Sequence, residues 1–354
     1  MMKRPHELGE LRQDPITEKW VVLATGRGKR PDDFAGDSKR HSFNAYKTPK
    51  YKDDCPFCNL GKFTQEPDVL RLPDDPERWQ VHIFGNKYPA FQPHDELRHW
   101  QVGPYRAAEA VGYHEILATR WHNQFGGYAS EQLMAMEIEA LVLRYRQLQI
   151  KQSVNYIQII KNQGPEAGGS LEHPHHQIFT VPVLPNDISD LLHGTERYAA
   201  KNDQKAFTII LDFEKSDGRR IVWENEDFTV FCPFASRVPF ETWVLPNKSN
   251  PHFESIDSSQ QRSLAEAMRQ ALGRIAVGLK NPAYNYYIHS APCDDNGFVC
   301  DDRLFGNFRW HVSILPRLGQ WGGFELGTGL EINTMAPEEA AEFLREQKVP
   351  EPVE

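Results

Sequence analysis

The sequence predicts an α+β protein in which one unit is built twice, its antiparallel strands flanked by helices. Two observations carry this. Each half has a long amphipathic helical stretch followed by a strand that opens Asn-Tyr, and after an irregular loop each half has a second strand carrying histidine. Asn155-Tyr156-Ile157-Gln158-Ile159 is mirrored by Asn285-Tyr286-Tyr287-Ile288-His289, and Pro174 to Pro182 by Trp310 to Pro316. Four features in one order favour duplication over coincidence, with two antiparallel sheets merging or packing. The expected division is residues 1–190 and residues 191–354.

In chain order, Trp20 to Ala24 reads as a strand, followed by a basic glycine turn; residues 35–54 are polar and lysine-rich and read as a mobile loop. Val81 to Phe84 and His114 to Thr119 read as strands, and Arg120-Trp121-His122-Asn123 opens a loop. From Ser130, a suitable N-cap, Met134, Ile138, Leu141, Val142, Tyr145 and Leu148 recur at helical spacing. Asn155 to Ile160 is the next strand. In the second half, Phe228 to Phe231 and Thr242 to Leu245 are strand-like. A helix starting near Asp257 or Ser258 carries Leu264, Met268, Leu272, Ile275 and Leu279 on one face. A last helix starts near Pro337, with Glu338 and Glu339 in its first turn.

At 354 residues the chain can bury a sizeable core, and 40% hydrophobic with 25% charged residues is ordinary for a water-soluble fold. No apolar run reaches bilayer length, so no membrane partner is expected, and the N-terminus lacks the apolar region of a secretory signal. Five cysteines argue against a disulfide framework and for a reducing compartment, the cytoplasm. A net charge of −9 disfavours nucleic acid as a partner. An anionic small substrate then needs a local positive patch, for which Arg27, Lys29 and Arg30 beside Gly26 and Gly28 are candidates.

The chemistry concentrates in Gly168-Gly169-Ser170-Leu171-Glu172-His173-Pro174-His175-His176-Gln177. In extended backbone His173, His175 and Gln177 share one face and His176 the other. A neutral imidazole at His175 can act as nucleophile on phosphorus, and the Gln177 amide can donate to phosphoryl oxygens without adding charge. A histidine-rich surface loop or an adventitious chelator is the bland alternative. Cys55-Pro56-Phe57-Cys58 has zinc-knuckle spacing, with a redox pair or two buried thiols as alternatives. Because Asn59-Leu60-Gly61 does not read as a helix start, zinc is the better reading. His122 and His173 are the best candidates for the two remaining ligands. A closed four-ligand shell makes such an ion structural, steadying the loop beside His175.

These residues resemble the galactose-1-phosphate uridylyltransferase family of the histidine-triad superfamily. The likeness runs from Arg12-x-Asp14-Pro15-Ile16-Thr17 through Lys29-Arg30-Pro31, Cys55-Pro56-Phe57-Cys58, Asn86-x-Tyr88-Pro89, His173-Pro174-His175-x-Gln177 and Trp243-x-Leu245-Pro246 to Phe324-Glu325-Leu326-Gly327-Thr328-Gly329. It implies duplicated histidine-triad-like units and a ping-pong nucleotidyl transfer in which His175 attacks the α-phosphorus of a nucleotide sugar. The expected reaction moves UMP from UDP-glucose to a hexose-1-phosphate, most simply galactose-1-phosphate. The resemblance assigns Gln177, Asn162 and Ser170 to the phosphates and Asn86 to the nucleoside pocket. It sets Arg27 and Arg30 near the nucleotide and Phe324 in the substrate pocket. Cys55, Cys58, His122 and His173 become ligands of one structural zinc per chain, and a homodimer is implied.

Departures from the family pattern sharpen these expectations. His176 stands where glycine or serine is expected, so it either narrows the pocket or faces solvent. A second metal site of one glutamate and three histidines is expected to be lost: His289 and His311 remain, but Arg309 and Leu191 occupy the other positions. Gly327-Thr328-Gly329 lacks a sugar-recognising glutamate and looks more like the ADP-glucose phosphorylase branch, in which phosphate accepts the nucleotidyl group. Hydrolysis of nucleotide conjugates by the same histidine and non-catalytic binding of zinc and nucleotide sugars complete the alternatives. His82, His94, His99, His114 and His252 carry no motif and read as surface or packed histidines. Cys232 reads as core, and Cys293 and Cys300 as reduced loop thiols rather than a metal clip.

Overall fold

A computed structural model of the chain describes residues 9–27, 44–63, 68–94, 96–293 and 302–353. The strands are β1 (Glu10–Gln13), β2 (Trp20–Leu23), β3 (Asp68–Leu72), β4 (Val81–Gly85), β5 (His99–Val102), β6 (Tyr105–Ala108), β7 (His114–Thr119), β8 (Tyr156–Gln163) and β9 (His175–Val181). The second half continues with β10 (Ile221–Glu224), β11 (Phe228–Phe231), β12 (Thr242–Pro246), β13 (Tyr284–His289), β14 (His311–Pro316) and β15 (Glu331–Asn333). The α-helices are α1 (Leu60–Phe63), α2 (Glu131–Leu148), α3 (Asn186–Asn202), α4 (Ala206–Asp217), α5 (Ser258–Gly278), α6 (Gly323–Thr328) and α7 (Pro337–Glu346).

Ten strands form one open antiparallel sheet in the order β10-β11-β12-β14-β13-β8-β9-β7-β4-β3. Read outward from its centre, β8-β9-β7-β4-β3 and β13-β14-β12-β11-β10 are the same topology, with the last strand of each half inserted beside the third. Of the two arrangements left open by the sequence, the sheets merge: β8 and β13 pair across the middle, Asn285 opposite Asn162 and Tyr287 opposite Ile160. Merging removes two exposed strand edges at the centre, where each half alone would present unpaired backbone groups. β1, β2 and β15 make a small separate sheet, and β5 with β6 a hairpin.

Sheet faces divide by the period-two alternation of the strands. On one face lie α2 and α5, which pack on each other and beneath the N-terminal and C-terminal strands respectively. Ser130 caps α2 by accepting from the Leu133 N–H. Asp257 and Gln260 close a capping box at α5, worth about 1 kcal/mol. The helix face of the sheet buries Ile157, Ile159, Ile178, Ile288, Val312 and Ile314 against the stripes that the sequence predicted. The opposite face carries His175, Gln177, Asn285, His289 and His311, and two sizeable cavities open there.

Two sequence expectations are corrected here. The knuckle does run into a helix, the single turn α1, because Asn59 knits the turn: its amide donates to the carbonyls of Lys52, Asp53 and Cys55. His176 neither narrows the pocket nor faces solvent. It is buried on the helix face, its Nε2 paired with the Tyr286 hydroxyl and its Nδ1 3.9 Å from Glu137.

Candidate active site and metal centre

Cys55, Cys58, His122 and His173 converge from three separate segments, their ligand atoms all within 4.8 Å of one another. His173 Nε2 donates to the Thr119 carbonyl at the end of β7 (2.8 Å), which leaves Nδ1 unprotonated and facing the two sulfurs at 3.5 Å each. His122 Nε2 meets the Glu172 carboxylate at 3.3 Å, and its Nδ1 lies 3.5 Å from Cys58 Sγ. With metal–sulfur bonds of about 2.3 Å and metal–nitrogen bonds of about 2.0–2.1 Å, tetrahedral geometry sets sulfur and nitrogen about 3.5–3.6 Å apart. The observed spacing therefore fits a tetrahedral ion, and the outward nitrogens have the partners that orient metal-bound imidazoles. Burial resists ionisation at Cys55, yet its contacts with His122 and His173 draw its thiol down; burial and the neighbouring Cys55 push Cys58 up. Without a cation the pair thus favours one thiolate, whereas a bound cation favours both.

A glycine loop hands this anchored segment to β9. Gly168 adopts φ +77°, where a side chain would be strained, and a Cβ on Gly169 would lie 2.9 Å from the Gly164 carbonyl oxygen. His175 follows as the first residue of β9 and is buried. Its Nδ1 donates to the His173 carbonyl at 2.8 Å. Burial lowers its pKa to about 4, with the charges of His173 and Lys161 acting in the same direction against that hydrogen bond. At neutral pH the ring is therefore neutral, protonated on Nδ1, with its lone pair on Nε2. Phe57 of the knuckle packs edge-on against His175, ring centroids 5.1 Å apart. The Cys₂His₂ cluster and His175 share this wall.

Gln177 lies two residues along β9 on the same face. Its partner is His114, which the sequence alone reads as a surface or packed histidine without motif. The Ala90 N–H donates to His114 Nδ1 (3.1 Å), so Nε2 carries the proton and donates to Gln177 Oε1 at 2.9 Å. With its oxygen occupied, the Gln177 amide is left to present its NH₂. Phe179 stacks on the ring. No spacing signal could have revealed this, because His114 meets Gln177 only through the β7–β9 pairing.

A cavity of about 380 Å³ opens over His175 and Gln177, with Ser170, Asn86, Lys87 and Tyr88 on its wall. Asn162 does not line it. Its Oδ1 accepts from Asn285 Nδ2 (2.8 Å), and it borders the neighbouring cavity of the C-terminal half. Because Ile160 faces Gln177 across the β8–β9 pair, the antiparallel register still places Asn162 in line with His175. Phe324 sits half-exposed on α6 and lines neither cavity. The backbone of Arg27 ends a short 3₁₀ turn; its side chain, together with Lys29, Arg30 and Cys300, lies outside the described residues. At the expected second metal site, His289 and His311 stack with centroids 4.5 Å apart. Arg309 turns to the Pro246 carbonyl and the Thr208 hydroxyl.

A family model described as galactose-1-phosphate uridyl transferase, N-terminal domain, matches residues 3–185. An ADP-glucose phosphorylase of Arabidopsis thaliana is 32% identical over 343 residues, covering 95% of this chain and 92% of its own length. A galactose-1-phosphate uridylyltransferase of Thermotoga maritima is 28% identical over 350 residues, covering 96% and 99%. Among solved structures, an ADP-glucose phosphorylase from Arabidopsis thaliana with bound ADP-glucose is similar with a TM-score of 0.78 and 28% identity over 96% of this chain and 100% of that one.

Proposed function

The chain belongs to the galactose-1-phosphate uridylyltransferase family, and from that premise we propose that it is a nucleotidyltransferase working through a nucleotidyl-histidine at His175. The observation that carries this is the tautomer of His175: Nδ1–H is tied to the His173 carbonyl, and the Nε2 lone pair belongs to a ring that burial keeps neutral. In the first half-reaction Nε2 attacks the α-phosphorus of a nucleoside-diphosphate sugar. The N–P bond forms, the P–O bond to the sugar phosphate breaks, and that oxygen leaves with its electron pair. The ring retains Nδ1–H, so the His173 carbonyl faces the positive charge that develops. Gln177, oriented by His114, and Ser170 donate to the phosphoryl oxygens. In the second half-reaction an acceptor phosphate attacks the same phosphorus and frees Nε2.

In this reading the donor is an ADP-sugar and the acceptor inorganic phosphate. That choice is favoured by the 32% identity to an ADP-glucose phosphorylase and by Gly327-Thr328-Gly329, which stands without the sugar-recognising glutamate. A second reading, UMP transfer from UDP-glucose to a hexose-1-phosphate, is favoured by the family match and by the Thermotoga relative. Cys55, Cys58, His122 and His173 hold one zinc ion, a proposal that rests on their Cys₂His₂ donor set and spacing. When bound, the ion ties the knuckle to the loop before His175 and performs no chemistry on the substrate. A homodimer and a cytoplasmic location complete the proposal.

The test is transfer of label from [α-³²P]ADP-glucose or [α-³²P]UDP-glucose to the protein, then release by phosphate or galactose-1-phosphate. Label on His175 from ADP-glucose, released by phosphate, is expected. Label from UDP-glucose alone, released by galactose-1-phosphate alone, selects the second reading. Failure of both donors to label the protein rejects both readings.

A further inference from the structure

The C-terminal half holds a histidine built like the nucleophile. His311 opens β14 as His175 opens β9, and each is buried. Each Nδ1 donates to the carbonyl two residues earlier, that of Arg309 at 3.1 Å and that of His173 at 2.8 Å. Above His311 lies a cavity of about 530 Å³, larger than the one over His175 and bordered by the Asn162–Asn285 pair. The mechanism proposed above makes no use of it.

Its unsatisfied groups define what it can hold. Ser313, two residues after His311 and 1% exposed, has a buried hydroxyl without a partner among the described residues, and His289 Nδ1 likewise has none there. The Arg317 guanidinium lies over the Trp321 ring and has no carboxylate partner among the described residues. Most carboxylates on the walls are already engaged. Asp14 accepts from Ile16, Thr17 N–H and Thr17 hydroxyl; Asp187 pairs with Lys19; Glu241 pairs with Arg237 and accepts from the Trp243 indole. Glu331 remains, and burial pushes its carboxyl toward the neutral form. What is left over is a set of donors, one of them cationic, between aromatic walls. Such a set complements a phosphate ester on a flat or polyhydroxylated ring.

We infer that the cavity above His311 is a second ligand site, taking a phosphate monoester carried on a ring, the chemistry shared by sugar phosphates and nucleoside monophosphates. The inference is independent of the activity proposed for His175. Equilibrium dialysis of the full chain with glucose 1-phosphate, AMP and UMP in separate arms tests it and identifies the ring. At least one probe is expected to bind twice per chain. Ser313→Leu, which fills the cavity, and Arg317→Met, which keeps bulk but removes charge, each weaken one of the two binding events at least tenfold, while nucleotidyl label on His175 forms as in the unaltered protein. Arg317→Met touches no core contact and serves if Ser313→Leu does not fold. No binding with any probe overturns the inference, as does binding that neither variant weakens. Loss of His175 labelling with two binding events retained would sink the proposed activity and leave this site standing.

Discussion

The two halves of the sheet share a topology but hold their histidine strands in different ways. In the N-terminal half His173 ties the segment before β9 to the Thr119 carbonyl at the end of β7, and turns its other nitrogen to the Cys₂His₂ centre. In the C-terminal half Arg309, at the matching position before β14, ties that segment to the Pro246 carbonyl at the end of β12 and to Thr208 on α4. The same mechanical need is met by a metal-ligand set in one half and by a guanidinium in the other. The segment before His175 is rich in glycine and lies open to a cavity. The segment before His311 is instead plugged by Trp310, fully buried between Phe228 and Phe253. The half that leaves its loop thin is the one to which the proposed chemistry is assigned, because a phosphoryl group needs backbone close by and side chains out of the way.

The largest effect that would break this comparison is catalytic. His175→Ala is expected to lower nucleotidyl transfer by on the order of 10⁴-fold or more, while His311→Asn leaves label incorporation within a few-fold. Equal losses in single-turnover labelling would mean that the halves are not divided in this way. Next, His114→Phe keeps the ring packing but removes the proton that orients Gln177. It should lower the labelling rate on the order of 10²-fold, as for loss of one preorganised donor, with little change in substrate KM. A fall in KM affinity alone would remove His114 from the positioning role.

Metal affinity supplies the third contrast. Glu172→Ala deprives His122 of its outer partner and should weaken the bound ion by about 10–100-fold in a chelator competition. Thr208→Val in the other half should leave metal content unchanged. It should instead lower stability by about 1–2 kcal/mol in urea unfolding, because a hydrogen bond to the partly buried Arg309 guanidinium is lost. Acid is the point on which the halves should behave alike. Burial first, then neighbouring cationic groups, hold His175 and His311 at about 4, against an ordinary value of about 6.5. The unfolded chain then binds more protons than the folded one between these values. Stability falls as pH drops through that window, by up to about 1.4 kcal/mol per pH unit for each ring. A flat unfolding free energy from pH 6.5 to 4.5 would contradict the buried, neutral assignment of both.

Much of the site could be read before any coordinates. Cys55-x-x-Cys58 and His173-x-His175-x-Gln177 are local patterns, and strand alternation alone places His175 and Gln177 on one face. The helix stripes from Met134 and Leu264 were equally legible, because burial of one face imposes its period on the sequence. His114 was not, since its role depends on β7 lying beside β9. The burial of His176 was half legible: alternation turned it away from the pocket, but only the packing of α2 and β13 supplied Glu137 and Tyr286. The turn at α1 escaped because its stabilising bonds come from the Asn59 side chain, which propensity reads as a break rather than a brace.

By itself the sequence determined the chemistry available, namely two thiols, the clustered imidazoles and the amide, together with the twofold repetition of the fold, because these are properties of residue type and of short periods along the chain. Tertiary structure alone decided that the halves share one sheet, that four ligands from three segments meet, that His114 aims Gln177, and that Arg309 takes the place of His173. Those outcomes are distances between residues far apart in the chain, and only the pairing of strands and the packing of helices assigns them.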